Sequence, residues 1–195
     1  RGAIWYQGEG NNLDIGYRLK MQALIGGWRE VWGLGDFPFY FVQIAPYEYG
    51  GEAPTILPQF WEQQTSATAV ANTGMAVIND VGDVKDIHPR KKQAVGKRLA
   101  LLALARTYGQ KDDVCSGPVF KSLKVEAGAL RVTFTETAGG LTSRDGKPLT
   151  HFEVIDRDNR GHPELLHVFD MPDHIADAFA HGLDVFFAQI FFQHA

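Results

Sequence analysis

Three times between residues 2 and 108, a short apolar run is followed, across a polar loop, by a longer segment of helical period. Gly2-Ala3-Ile4-Trp5-Tyr6 ends at Gln7-Gly8-Glu9, and a helix then fits from about Leu13 to Trp32. In that helix Tyr17, Met21, Leu24, Ile25, Trp28 and Trp32 recur at three- and four-residue steps and form one buried stripe. Phe39 to Ile44 reads as a strand, stopped by Pro46, and a helix fits from about Phe60 to Ala71. The third pair is a strand over Met75-Ala76-Val77-Ile78 and a helix that Pro89 opens at its first position. Val95, Leu99, Leu102 and Ala103 supply that helix's apolar face, and Gly109 supplies its stop. Strand–helix repeated three times predicts a right-handed, three-layer α/β unit on a parallel sheet. Ligands of such sheets bind where the carboxyl ends of the strands meet their loops.

The period changes near Val119. Leu123 to Glu126 and Leu130 to Phe134 alternate apolar and polar residues around Ala127-Gly128-Ala129, which predicts a β-hairpin, and Phe152 to Ile155 reads as a further strand. Ile175, Phe179, Leu183, Phe186 and Ile190 then share one helical face. The expected organisation is an α/β region over 1–112, a β-rich appendage over 113–160 and a helical tail over 161–195. At 195 residues the chain is long enough for a real core. It begins with Arg1 in what reads as mid-sheet, so it is expected to be a fragment whose N-terminal part, with any targeting segment, is missing.

A net charge of −4 argues against a general nucleic-acid binder, which needs a basic face. The one basic cluster, Arg90-Lys91-Lys92 with Lys97-Arg98, opens an apolar helix and reads as its solvated side. A single cysteine, Cys115, excludes an intrachain disulfide, and no apolar run reaches membrane-spanning length. Six of the seven histidines lie from His151 onward, but no His-x-x-x-His pair or cysteine partner supports a structural zinc. Gly8-Glu9-Gly10 lacks the third glycine of a dinucleotide fingerprint, and Gly50-Gly51 lacks a phosphate-loop ending.

Two strand ends carry chemistry. His88 follows an acidic loop with Asp80, Asp83 and Asp86, and histidine alone has an unperturbed pKa suited to a general base near neutrality. A carboxylate on its other ring nitrogen would fix the tautomer, and Asp86 and Asp83 are both near enough in sequence. At the first strand end Gly8 permits close approach of a ligand, and the Gln7 amide can donate to a developing oxyanion. The bland alternatives are a helix start with a solvated acidic loop, and a plain turn with Asn11 or Asn12 as helix cap. None of Ser66, Ser116, Ser122, Ser143 and Cys115 lies in a nucleophile's setting.

Ile4-Trp5-Tyr6-Gln7-Gly8-Glu9-Gly10-Asn11, Trp28-Arg29 with Trp32, Phe41-Val42-Gln43-Ile44-Ala45-Pro46-Tyr47, and Asp86-Ile87-His88-Pro89 with Lys92, Val95 and Gly96 resemble the sialate O-acetylesterases, carbohydrate esterases of the SGNH hydrolase superfamily. The resemblance runs over about residues 2–155 in the family's order. It implies a flavodoxin-like three-layer α/β/α SGNH hydrolase domain, incomplete at its N-terminus, with β-rich additions. It also implies metal-free, cofactor-free hydrolysis of acetyl esters on sugars or sialic acid, and a periplasmic or secreted setting for full-length relatives. By position, His88 would be the base, Gln7, Gly8 and Asn11 would line the oxyanion and acyl pocket, and Glu9 would hold the turn. The superfamily's Asp-x-x-His spacing falls on Lys85 here, so the acid is Asp86, Asp83, or in their place a backbone carbonyl orienting His88. The family's serine lies in a Gly-Gln-Ser-Asn segment near the N-terminus, which this chain lacks. After Asp156 the chain departs from the family's strands, as a shifted reading frame or a variant ending would produce. The rival reading is a non-catalytic carbohydrate-binding module using Trp5, Tyr47, Tyr49 and Trp61 as sugar platforms. A small α/β nucleotide-binding protein is a more distant one.

Overall fold

The computed structural model describes residues 2–51, 55–110, 114–126 and 129–137. The chain falls into two compact units, Arg1–Ser116 and Gly117–Ala195. The first contains β1 (Ala3–Tyr6), α1 (Tyr17–Trp32), β2 (Phe39–Val42), α2 (Ile56–Ser66), β3 (Thr73–Ala76) and α3 (Lys92–Arg106). Its three strands are parallel, in the order β1-β2-β3, with Tyr6, Val42 and Ala76 in register at their carboxyl ends.

Alternation along β2 divides the core. Tyr40 and Val42 face α3, where they meet Val95, Leu99 and Leu102 together with Ala76 and Ile78. Phe39 faces α1, where Trp28 lies 5.7 Å from its ring and edge-on to Trp5 at 5.6 Å. Tyr17 joins α1 to α2 through Phe60, ring to ring at 4.6 Å. All four residues of β2 are buried, as a central parallel strand covered on both faces requires.

Several boundaries move from their expected places, each for a local reason. The first long helix begins at Tyr17 rather than Leu13, because Asn11 to Asp14 form turns that close onto Gly8 and Asn11, and Gly16 N donates to Asp14 Oδ1 at 2.8 Å. The second begins at Ile56, four residues early, with Pro58 in its first turn, where a missing N–H breaks no hydrogen bond. The third strand pairs over Thr73–Ala76 rather than Met75 to Ile78. Pro89 does not open α3, which starts at Lys92. The proline is fully buried instead, and Asp86 turns the chain ahead of it by accepting from the His88 backbone N–H. In the expected stripe of α1, Tyr17, Met21 and Ile25 are buried, whereas Trp32 stays half exposed, stacked on Trp28 and Phe37. Gly109 ends α3 as expected, with φ +77° and the Gln110 N–H returning to the Leu104 carbonyl at 2.9 Å.

In the second unit β4 (Val119–Glu126) and β5 (Ala129–Thr135) pair antiparallel, the expected hairpin. The expected strand over Phe152 to Ile155, the helical face from Ile175 to Ile190, and six of the seven histidines fall outside the described residues. No helix among the described residues is long and apolar enough to cross a membrane.

Candidate active site

Because the strands are parallel and in register, the loops after β1, β2 and β3 all leave from one edge of the sheet. Hydrogen bonds and packing tie those loops together. The Glu48 N–H donates to the Val84 carbonyl at 2.8 Å, and Gly82 lies against Ala45 and Pro46. Lys92, the first residue of α3, places Nζ 5.7 Å from the centre of the Tyr6 ring, linking the end of the third loop to the end of β1. Gln7-Gly8 and the segment carrying His88 therefore belong to the same edge.

After β1 the chain turns at Gly8, whose φ of +149° and ψ of −20° suit glycine, and enters a short 3₁₀ turn at Glu9–Asn11. Ile44 Cγ2 and Phe60 Cε1 would stand 2.8 and 3.0 Å from any β-carbon at Gly8, so the backbone there is pressed onto the core. Gln7 Nε2 donates to Asn11 Oδ1 at 2.7 Å, and the Tyr17 hydroxyl lies 3.0 Å from Gln7 Oε1 and 2.9 Å from the Gln7 carbonyl oxygen. Burial pushes the Tyr17 hydroxyl up to about 12, against the pull of Trp5 and Gln64, so at neutral pH it is a phenol. Burial likewise raises Tyr6 to about 12, and the carboxylate of Glu9 adds to the shift.

After β3 the loop is built by its own aspartates. Asp83 Oδ1 accepts from the Lys85 N–H at 3.0 Å, and Asp86 Oδ1 from the His88 N–H at 3.0 Å. Asp86 Oδ2 also accepts from Arg90 Nε at 3.2 Å. These two donors, the His88 amide first, hold the Asp86 carboxyl below its ordinary range. The His88 imidazole is 86% exposed, with Nδ1 3.8 Å from Asp86 Oδ1, beyond hydrogen-bond length.

Two supporting side chains escaped the sequence reading, Arg98 and Gln43. Arg98 is not part of a solvated basic face: it forks onto Asp80, with bonds of 2.5 and 2.6 Å, and donates to the Val77 carbonyl at 2.7 Å. This pins the end of β3 to α3. Gln43, fully buried just past β2, donates Nε2 to Asn79 Oδ1 at 2.9 Å and joins the second loop to the third. An alternating apolar run such as Phe41 to Ile44 hides a buried glutamine, and no spacing rule marks an Asp–Arg pair 18 residues apart.

Of the aromatic platforms of the rival reading, Trp61 belongs to the core. Trp61 is buried and donates Nε1 to the Ile44 carbonyl at 2.9 Å, and Trp5 packs edge-on against Trp28. Trp5, Tyr47 and Tyr49 are half-buried, the two tyrosines edge to face at 5.0 Å. A small open pocket lies beside this edge, between Leu13, Asp14 and Ile15 on one side and Ile56, Gln59 and Glu62 on the other. Neither Gln7 nor His88 lines it. Among the described residues no three His, Cys, Asp or Glu side chains gather to hold a metal.

A parallel sheet whose loops bring an amide, carboxylates and an exposed imidazole to one edge defines an α/β protein with a strand-end site. Comparison with known proteins narrows the class. The chain is similar to the sialate O-acetylesterase of Rattus norvegicus, at 37% identity over 147 residues, covering 65% of this chain and 27% of the relative. It is 35% identical to the sialate O-acetylesterase of Homo sapiens over 156 residues, covering 69% of this chain and 30% of that protein. A solved carbohydrate acetylesterase from Xanthomonas citri superposes with a TM-score of 0.76 at 38% identity, over 83% of this chain and 38% of its own. No family model matches. The resemblance to sialate O-acetylesterases thus holds over most of the chain, which spans less than a third of those curated relatives.

Proposed function

We propose that this chain is part of a carbohydrate esterase that hydrolyses acetyl esters on sugars or sialic acid by a Ser-His(-Asp) mechanism. In this reading the serine belongs to a part of the protein outside these 195 residues. The single observation that carries the reading is the joint exit of Gln7-Gly8 and the His88 loop from one sheet edge, in a chain 35–37% identical to sialate O-acetylesterases. Among the described serines, Ser66 ends α2 on the way to the opposite edge of the sheet, where β3 begins, Ser116 follows the C-terminal end of α3, and Ser122 lies in β4. The framework is a flavodoxin-like SGNH hydrolase sheet, to which the β4–β5 hairpin begins a β-rich appendage.

The residues divide the chemistry between them. His88 takes the proton of the serine hydroxyl as its oxygen attacks the acetyl carbonyl, then returns it to the departing sugar oxygen. Gln7 Nε2, with the backbone that Gly8 allows close to substrate, donates to the oxyanion of the tetrahedral intermediate. Water repeats the sequence on the acetyl-enzyme and releases acetate. Asp86 is the nearer acid. Its Oδ1 is already bonded to the His88 amide, so it stabilises the imidazolium by charge at 3.8 Å. Asp83 is the alternative.

The test compares two proteins on p-nitrophenyl acetate and on acetylated sialic acid: the 195-residue chain, and the same chain extended to include the Gly-Gln-Ser segment. Turnover confined to the extended protein and abolished in its Ser→Ala variant is expected. His88-dependent turnover by the short chain would refute the placing of the nucleophile.

A further inference from the structure

Gln7 is gripped at both ends of its amide, by Asn11 and by Tyr17, and the esterase reading gives Tyr17 no part. A primary amide offers a carbonyl acceptor at one end and two N–H donors at the other, in nearly the same shape. An oxyanion donor must therefore be held so that the nitrogen, not the oxygen, faces the substrate. On one side, the buried Tyr17 hydroxyl shares its single hydrogen between Gln7 Oε1 at 3.0 Å and the Gln7 carbonyl at 2.9 Å. On the other, Gln7 Nε2 donates to Asn11 Oδ1 at 2.7 Å. Asn11 could itself turn over, but its Nδ2 points at Asp14 Oδ2, 3.4 Å away. Asp14 is anchored by an ion pair with Lys20 and by the Gly16 N–H at 2.8 Å. An ionised carboxylate only accepts. Asn11 reversed would set its own carbonyl against that carboxylate, so the direction of every bond in the chain Asp14–Asn11–Gln7 follows from Asp14.

We propose that Tyr17 and Asp14 are positioning residues for Gln7, fixing its amide so that the second Nε2 hydrogen is the one presented to the developing oxyanion. This rests on the esterase reading above. One Nε2 hydrogen goes to Asn11, Oε1 is held by Tyr17, and the remaining hydrogen is the free donor. Tyr17→Phe removes the grip on Oε1 while keeping the ring against Phe60. Asp14→Asn allows Asn11, and with it Gln7, to adopt either direction.

The experiment is a double-mutant cycle in the protein extended to include its nucleophile segment, with kcat and KM measured on p-nitrophenyl acetate. Removing a well-placed oxyanion donor lowers kcat by about 10²–10³-fold. A donor left in place but free to turn should lose part of that. Tyr17→Phe is expected to lower kcat roughly tenfold and Asp14→Asn roughly threefold, with KM within about twofold, since the interaction lost belongs to the transition state. In a Gln7→Ala background neither substitution should lower kcat further, because there is no amide left to orient. A structural role for Tyr17 would instead lower kcat by the same factor in both backgrounds. Equal losses in both backgrounds, or no loss in the first, overturn the proposal. Unchanged kcat in Gln7→Ala itself refutes the oxyanion role of Gln7, which is a separate failure of the esterase reading.

Discussion

Gly8→Ala is the substitution whose cost can be worked most fully from the structure. At φ +149° an L-residue is strained, which costs about 1–3 kcal/mol where the surroundings hold the conformation. The added methyl would then meet Ile44 Cγ2 at 2.8 Å and Phe60 Cε1 at 3.0 Å. Neither can yield easily. The Ile44 N–H is bonded to Gln64 Oε1 at 3.0 Å and its carbonyl to Trp61 Nε1 at 2.9 Å, while Phe60 is buried and packed on Tyr17. Overpacking of this kind costs about 1–3 kcal/mol. The two contributions together give a loss of about 2–6 kcal/mol, a large part of the 5–15 kcal/mol typical of a whole domain. Urea denaturation followed by tryptophan fluorescence should show a lower midpoint with an unchanged slope. Gly10→Ala is the control: a β-carbon there meets nothing within 4 Å, and its stability should stay within about 0.5 kcal/mol of wild type. Gly8→Ala within the same 0.5 kcal/mol would refute the close approach of this turn to the core.

Asp80→Ala leaves the Arg98 fork without its carboxylate. It should cost about 1.5–3 kcal/mol in the same denaturation experiment, less than a fully buried pair because Arg98 is 29% exposed. A loss under about 0.5 kcal/mol would mean that the pair does not hold the end of β3. The Asp86 carboxyl is held below its unfolded value, so its contribution to stability is present above pH about 4 and lost as pH falls through the lower folded value. Asp86→Asn should therefore lower Tm slightly at pH 7 and leave it unchanged at low pH, flattening Tm against pH on the acid side, and an unaltered acid slope would contradict this.

How far the sequence could be read differs from element to element. Amphipathic stripes and β-branched or aromatic runs placed the α/β order and the hairpin, because burial by period is a property of the chain itself. Boundaries were missed where a side chain overrides the period. Asp14 and Asp86 each bond a backbone N–H two residues on, delaying α1 and α3, and α2 starts ahead of Phe60 because its first turn tolerates Pro58. Gln7 and His88 were nameable because they sit at strand ends, and the register of Tyr6, Val42 and Ala76 sets those ends side by side. Their supports were not. Tyr17 looked like one more core residue of the α1 stripe, and its bonds to Gln7 appear only once the helix packs back over β1.

The central claim is that this sheet edge works as an esterase site with His88 as base and Gln7 as oxyanion donor. It is tested most directly by kcat on an acetyl ester for the extended protein and its His88→Ala and Gln7→Ala variants, with Tm measured alongside. His88 is 86% exposed, so its removal should leave Tm unchanged while kcat falls by several powers of ten, toward the roughly 10⁶-fold seen when a triad base is removed from a well-studied protease. Gln7→Ala should fall by about 10²–10³-fold. A folded His88→Ala protein that turns over acetyl esters at close to the wild-type rate would contradict the account.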